Sequence, residues 1–364
     1  LSSCGSGGNS PPANPVSDGG EMGDTSDPSS DENGSTESPN TQPELTWTQG
    51  EYAPFRSLAQ VCADPRNNQN YNDLQGTISD ENNWIRSYSN DTYLWYSELP
   101  DIDPRTIEEP LEYFDLMKTN EDTPSGTPKD KYHYTEDTEV WNQYFQGGTN
   151  VGYGMRLIAY NPPESRRIFV AYNEPDSPAD NAGIARGTEI LAIDGERVAG
   201  GNIEMLSNAL YPQSAGETHR FEVIDLETTE VRVTEIQSAE ITLAPVRMTA
   251  LIEQEKGNVG YMLFNQHIGS AEIQLVEAIT SFKQQDIDYL VLDLRYNGGG
   301  YLSIANQLAF MIAGNRAQNQ VFERLSFNDK HTSHDPITQE PIPAGTFLTT
   351  TVGMSADSGQ PLPT

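Results

Sequence analysis

The strongest constraint on this chain is a short apolar run that meets charged residues and then three glycines, Tyr289-Leu-Val-Leu-Asp-Leu-Arg-Tyr-Asn-Gly-Gly-Gly300. Tyr289 to Leu292 reads as a strand buried on both faces of a parallel or mixed sheet. Asp293 and Arg295 are two apart, so on a strand they share a face and can pair. Gly298, Gly299 and Gly300 accept positive φ and let backbone N–H groups approach a ligand, while Leu302 to Ala313 predicts a helix closed by Gly314. Strand, glycine loop and helix N-terminus together suit negative charge, either a bound anion or the oxyanion of an acyl-transfer intermediate. Gly298-Gly-Gly-Tyr-Leu-Ser303 is also a degenerate dinucleotide fingerprint, with Glu323 after Val321-Phe322 as the ribose-binding acid. Against it, the third glycine is absent and a charged segment separates strand from loop. The plainest alternative is a glycine turn with no chemistry.

The chain has 364 residues, room for two or three domains with cores of their own. With 54 acidic and 21 basic residues its net charge is -33, which repels phosphate backbones and argues against nucleic acid as a partner. A well-solvated acidic surface accounts for that charge. Cys4 and Cys62 are the only cysteines, too few for a disulfide scaffold or a Cys-rich metal cluster. No apolar run reaches membrane-spanning length. From Gly5 to about Pro43 the sequence is Gly, Ser, Pro, Asn, Asp and Glu, and no Lys or Arg precedes Arg56. Such a segment cannot offset its ordering entropy and is expected to be a disordered acidic tether. Aromatics return from Trp47. Apolar groups at positions 84, 85, 88 and 92 to 95 form a helical stripe halted by Pro100 and Pro104, and Leu111 to Met117 predicts a second helix. The stripe reads as core rather than as a binding surface. Cys62 is either a buried free thiol or half of a bridge completed beyond Thr364.

Gly152-Tyr-Gly-Met155, followed by Arg156-Leu-Ile-Ala159, resembles the carboxylate loop and second strand of PDZ domains. Two glycines there expose N–H groups to a terminal carboxylate, and a free strand edge adds the peptide by β-augmentation. The run Ser177-Pro-Ala-Asp-Asn-Ala-Gly-Ile184 through Ile190-Leu-Ala-Ile-Asp-Gly-Glu-Arg-Val198 is similar to that of bacterial PDZ domains, with Thr188 in place of the usual Asp. Asp194-Gly195 is a tight turn, and Asn202 caps a helix from Ile203 to Leu210 that would form the second wall of the groove. The resemblance implies that Gly152, Tyr153, Gly154 and Met155 bind peptide.

Val259-Gly-Tyr-Met-Leu263 predicts a strand, Ser270 caps an amphipathic helix with Leu275, Ile279 and Phe282 on one face, and Tyr289 opens the next strand. This βαβ unit makes the two strands parallel. Asp293-Leu-Arg-Tyr-Asn-Gly-Gly-Gly300 resembles the D-L-R-x-N-x-G-G signature of the C-terminal processing (tail-specific, tricorn-like) serine peptidases. That resemblance implies oxyanion donors at Gly298 or Gly299, with Asp293, Arg295 and Asn297 holding the loop in shape. It further implies an α+β and α/β fold with a helical N-terminal segment, a PDZ-like β-barrel and a βαβ-containing, crotonase-like catalytic domain. The expected spans are 1–45 for lipobox and tether, 46–145 helical, 146–245 PDZ and 246–364 catalytic.

Leu1-Ser-Ser-Cys4-Gly5 resembles a bacterial lipobox, which implies a lipid on Cys4, attachment to the membrane only through that anchor, and a place in the cell envelope. The family's serine in an S-A-S-E-like context and its later lysine are not found, so the chain reads as truncated before its nucleophile. Ser355 and Ser358 lack that context and fall in a segment that reads as a loop. His331-Thr-Ser-His334-Asp335 lacks a further anchoring ligand for a metal. His133 lies near where tricorn-like members carry a Ser–His pair, and His267 follows the Gly260-Tyr261 strand and could face the cleft. The expected function is a serine endopeptidase, without cofactor, that takes unfolded or C-terminal peptide segments through its PDZ domain and cleaves by serine–lysine acyl transfer. The alternatives are a non-catalytic peptide- or lipid-binding scaffold and, more remotely, a nicotinamide-dinucleotide enzyme.

Overall fold

The computed structural model describes residues 47–66, 72–160, 162–226, 228 and 230–364. Cys4 and the acidic segment after it lie outside the described residues. The chain divides into two compact units. One takes the described part of Leu1–Thr138 together with Glu323–Gly345, and the other takes Glu139–Phe322 and Thr346–Thr364.

In the first unit a parallel pair, β1 (Val61–Cys62) and β2 (Leu74–Gln75), precedes α1 (Ile78–Thr92) and α2 (Pro110–Leu116). The first helix begins earlier than its aromatic stripe because Thr77 and Asp80 form a capping box, each side chain bonding the other's backbone N–H. Trp84 is buried and stacks on the half-buried Tyr88 at 5.0 Å, whereas Leu94 at the far end of the stripe is exposed. The Arg86 side chain is 3% exposed, held by Asp101 at 2.5 Å and by the carbonyls of Glu51 and Thr48. The returning segment closes the far end of α1: Asn328 Nδ2 donates to the carbonyls of Asp91 and Tyr93 at 2.8 and 3.0 Å. Cys62 is fully buried.

The short helix α3 (Thr138–Asn142) spans the division between the units. Next, β3 (Thr149–Gly152) pairs antiparallel with β10 (Ala239–Thr242). Between them lies a sheet of β4 (Met155–Tyr160), β5 (Arg167–Asn173), β6 (Glu189–Ile193), β8 (Thr218–Ile224) and β9 (Val231–Gln237), in that order, with β7 (Glu196–Arg197) beside β6. The helices α4 (Pro178–Asn181) and α5 (Ile203–Leu210) belong to the same module. Asp194 and Gly195 take φ of 51° and 86° in the tight turn, and Asn202 Oδ1 caps α5 by accepting from Glu204 and Met205 N–H.

Then come β11 (Val246–Ile252), β12 (Val259–Phe264), α6 (Ala271–Gln284), β13 (Tyr289–Asp293) and α7 (Leu302–Ala313). The pair β12 and β13 is parallel, with Val259 opposite Tyr289 and Leu263 opposite Asp293, as a βαβ unit requires. Met262, Phe264, Leu275 and Ile304 are each fully buried where α6 and α7 cover one face of this sheet. Burial of each contributes about 1.5–3 kcal/mol. The expectation that β13 is buried on both faces is corrected: it is an edge strand, and Tyr289 and Val291 stand on the uncovered face. β14 (Val321–Arg324) and β15 (Ala344–Thr346) complete the strands.

The cap expected from Ser270 is also corrected, since its backbone is helical and its side chain bonds no backbone N–H of α6. Ser355 does that work from a distant loop, its Oγ accepting from Ile273 N–H at 3.1 Å. Beside it the buried Glu272 carboxylate receives five successive backbone N–H groups, Val352 to Ala356, at 2.7 to 3.3 Å.

Candidate active site

Two parallel strands end side by side, and the loops leaving their carboxyl ends build the site, the place where open α/β sheets bind ligands. Arg295 lies beyond β13 in a turn, so its pairing with Asp293 comes from that turn and not from a shared strand face. The guanidinium grips the carboxylate from two nitrogens, Nη2 at 2.6 Å and Nε at 3.0 Å, and Tyr261 Oη donates to the same group at 2.7 Å. Arg295 first, then Tyr261, holds the Asp293 carboxyl well below the usual range.

Asn297 is the pivot of the loop. Its Nδ2 donates to the Phe264 carbonyl at 3.0 Å, while its Oδ1 accepts from Gly299 N–H at 2.8 Å and from His267 Nδ1 at 2.9 Å. The His267 backbone completes the clamp, donating to Gly299 O at 3.0 Å and accepting from Tyr301 N–H at 2.7 Å. Gly299 therefore spends its N–H inside the loop. Gly298 N–H meets no acceptor among the described residues. The α7 N-terminus, which has no side-chain cap, adds the positive end of a helix dipole. Tyr301, just before that helix, meets Phe145 edge-on at 5.7 Å.

The peptide-loop residues occupy different roles. β4 ends its sheet, paired only with β5, so its outer edge is open. The Tyr153 ring is core, 2% exposed, with its hydroxyl on the Ala209 carbonyl, so only its backbone is available to a ligand. Gly154 has φ +77°, and a Cβ there would fall 2.2 Å from Ser177 Cβ. The demand for glycine is thus internal packing and backbone conformation, and a substituent strains the module before any peptide arrives. Gly152, Gly154, Met155 and Arg156 line a cavity of about 140 Å³. The Arg156 guanidinium is exposed and carries no ion pair among the described residues. Between the two loops, Tyr172 of β5, opposite Arg156 in register, lies 5.5 Å from Tyr296 of the D-L-R-Y-N segment. Burial raises the Tyr172 phenol to about 12.

The remaining candidates are structural. Ser355 Oγ accepts from Ile273 N–H, and its backbone N–H donates to Glu272. Ser358 lies in the same surface loop. His133 stacks on Phe114 at 4.0 Å, with a ring nitrogen on its carbonyl. His331 bonds Asp91 and His334 bonds Ser333, and no metal-ligand cluster occurs among the described residues. Glu323 lies on β14, pushed up by burial.

Residues 80–134 match the Peptidase S41 N-terminal domain, 169–225 the PDZ domain and 258–350 Peptidase family S41. The chain thus contains a segment similar to peptidase family S41, beside an S41 N-terminal segment and a PDZ domain. The S41 match contains the clamp of His267 and Asn297 as well as the three glycines. A carboxyl-terminal-processing protease of Picosynechococcus sp. is 32% identical over 147 residues, 40% of this chain and 35% of that protein. The chloroplastic C-terminal processing peptidase of Tetradesmus obliquus is 25% identical over 45% of this chain and 37% of its own length. The chain thus spans little more than a third of the length of these curated relatives. The crystal structure of a putative S41 protease from Bacteroides fragilis shares 22% identity, with a TM-score of 0.44 over 71% of this chain and 65% of that one.

Proposed function

We propose that this protein is a serine peptidase that captures the carboxyl end of unfolded polypeptides at Gly152–Met155 and cleaves them by serine–lysine acyl transfer. The observation that supports this most is the presence, in one compact unit, of a free-edged strand opening on a glycine loop and of a second loop with an unspent Gly298 N–H. The first suits a peptide added as a strand, with Arg156 beside its terminal carboxylate. The second suits the oxyanion of a tetrahedral intermediate. In this reading the described residues supply the oxyanion donor and its scaffold. The complete gene product is expected to cut a permanently unfolded protein and to be labelled on a serine by a phosphonate. Absence of both cleavage and labelling would leave a peptide-binding scaffold without catalysis.

For localisation we propose attachment to the cell envelope through a lipid on Cys4. Intact-mass analysis of the protein from its native membrane is expected to show a diacylglycerol adduct on the Cys4 peptide; an unmodified or disulfide-linked Cys4 peptide would contradict the anchor.

A further inference from the structure

The cavity at Gly152–Met155 has a second wall, which capture of a carboxylate leaves unused. Glu174, directly after β5, closes it from there. Its N–H donates to the Gly154 carbonyl at 2.7 Å, and a Cβ on Gly154 would lie 3.6 Å from its own Cβ. Glu174 is 5% exposed, yet only Oε2 has a donor, Ala244 N–H at 3.1 Å. Oε1 meets no donor among the described residues. Burial raises the carboxyl above its ordinary value, against the Ala244 N–H and the charge of Arg247. Two further acceptors on residues lining this cavity, Asn150 Oδ1 and Gln266 Oε1, are likewise buried with no donor. A buried carboxylate so short of donors carries a standing cost that a bound cation offsets.

The two faces of β4 differ at this point. Met155 and Leu157 pack on the core of the module, while Arg156 between them stands on the other face with its cross-strand neighbour Tyr172. At the Tyr144 and Tyr172 phenols, both raised chiefly by burial, the charges of Glu174 and Arg156 act with opposite sign, which puts both within reach of one ligand. A peptide added along β4 sends successive side chains to the two faces in turn. One of its last two side chains thus meets Met155, Leu157 and Leu210, and the other meets the polar wall. We infer that the site selects polypeptides with Lys or Arg at one of the last two positions and an apolar residue at the other. Glu174 takes the side-chain cation, while the loop and Arg156 take the terminal carboxylate. This rests on Gly152–Met155 being the site that receives that carboxylate. An acidic side chain in the same place is repelled by Glu174 and leaves Oε1 without a donor, so the wall also selects by exclusion.

The test titrates labelled peptides that differ only in their last two residues with the 364-residue chain. Norleucine is the control for lysine, since it matches much of the side chain and lacks the charge. At one of the two positions Lys is expected to bind about tenfold more tightly than norleucine, and Glu no better than norleucine. A Lys moved several positions upstream is expected to gain little, which separates a seated cation from diffuse attraction to a chain of net charge -33. Glu174→Gln, which keeps an oxygen for Ala244 N–H, is expected to bring the Lys-to-norleucine ratio to about one. Equal binding of Lys and norleucine at both positions, with affinity still dependent on a free C-terminus, would overturn the selection and leave carboxylate capture standing. The same result follows if the upstream Lys gains as much, or if the Lys advantage survives Glu174→Gln. Indifference to amidation in every peptide would overturn both.

Discussion

Glu272→Gln is expected to cost about 3–5 kcal/mol of stability in the unit that carries the site, because an amide cannot accept what the carboxylate accepts. Five backbone N–H groups converge on the two oxygens of Glu272, itself 1% exposed. Glutamine offers one acceptor oxygen and turns an NH₂ toward N–H groups that then have nowhere to go. Urea titration should show a lower midpoint, and amide exchange should accelerate across Val352 to Ala356. A stability within about 0.5 kcal/mol of the parent would show that the loop is held by its apolar contacts instead. The pH dependence has a definite sign. Burial pushes the Glu272 carboxyl up, but the N–H groups of Ala356, Ser355 and Val352 outweigh it and hold it below 4.5. The contribution is therefore present above about pH 4.5 and is lost as pH falls through the lower folded-state value. In Glu272→Gln this part of the acid sensitivity disappears.

The three adjacent glycines are expected to respond to alanine in three different ways. A Cβ on Gly300, at φ +132°, would lie 2.3 Å from the His267 carbonyl oxygen, the atom that accepts from Tyr301 N–H. Backbone cannot yield there as a side chain would, so Gly300→Ala should cost about 3 kcal/mol or more and open the bridge to His267. Gly299 also has positive φ, +97°, but a Cβ there meets open space, and Gly299→Ala should cost about 1–2 kcal/mol. Gly298 has neither problem, and Gly298→Ala should stay within about 0.5 kcal/mol. Denaturation of the three variants side by side checks the order. Equal losses at all three would mean that the clamp between His267 and the loop does not set the conformation.

The elements around the site were legible where local chemistry decided them. Asn202 before α5, Asp194-Gly195 in the turn and Gly314 after α7 are each a residue type that its backbone position demands. The parallel pairing of β12 and β13 followed from a strand, a helix and a strand in succession. Partners distant in sequence left no such mark. Ser355 caps a helix 82 residues away, and the five N–H groups that meet Glu272 belong to the loop Val352-Gly-Met-Ser-Ala356, whose residue types give no sign of a carboxylate partner. Asn328 closes the end of α1 across 237 residues. His267 showed as a histidine after a strand, but its bond to Asn297 needs the parallel ends of β12 and β13 to be side by side. The exposed face of β13 was missed because an apolar run looks the same whether one face or two are covered.

Fluorescence anisotropy of a labelled peptide, titrated with the 364-residue chain, tests the proposed capture of polypeptide ends most directly. The peptide is used with a free and with an amidated C-terminus. The free form is expected to bind, amidation to weaken it about tenfold or more, equivalent to about 1.4 kcal/mol, and Arg156→Ala to erase most of that difference. Equal affinity for the two forms, unchanged by Arg156→Ala, would contradict the assignment of Gly152–Met155 as the site that receives the peptide's carboxylate.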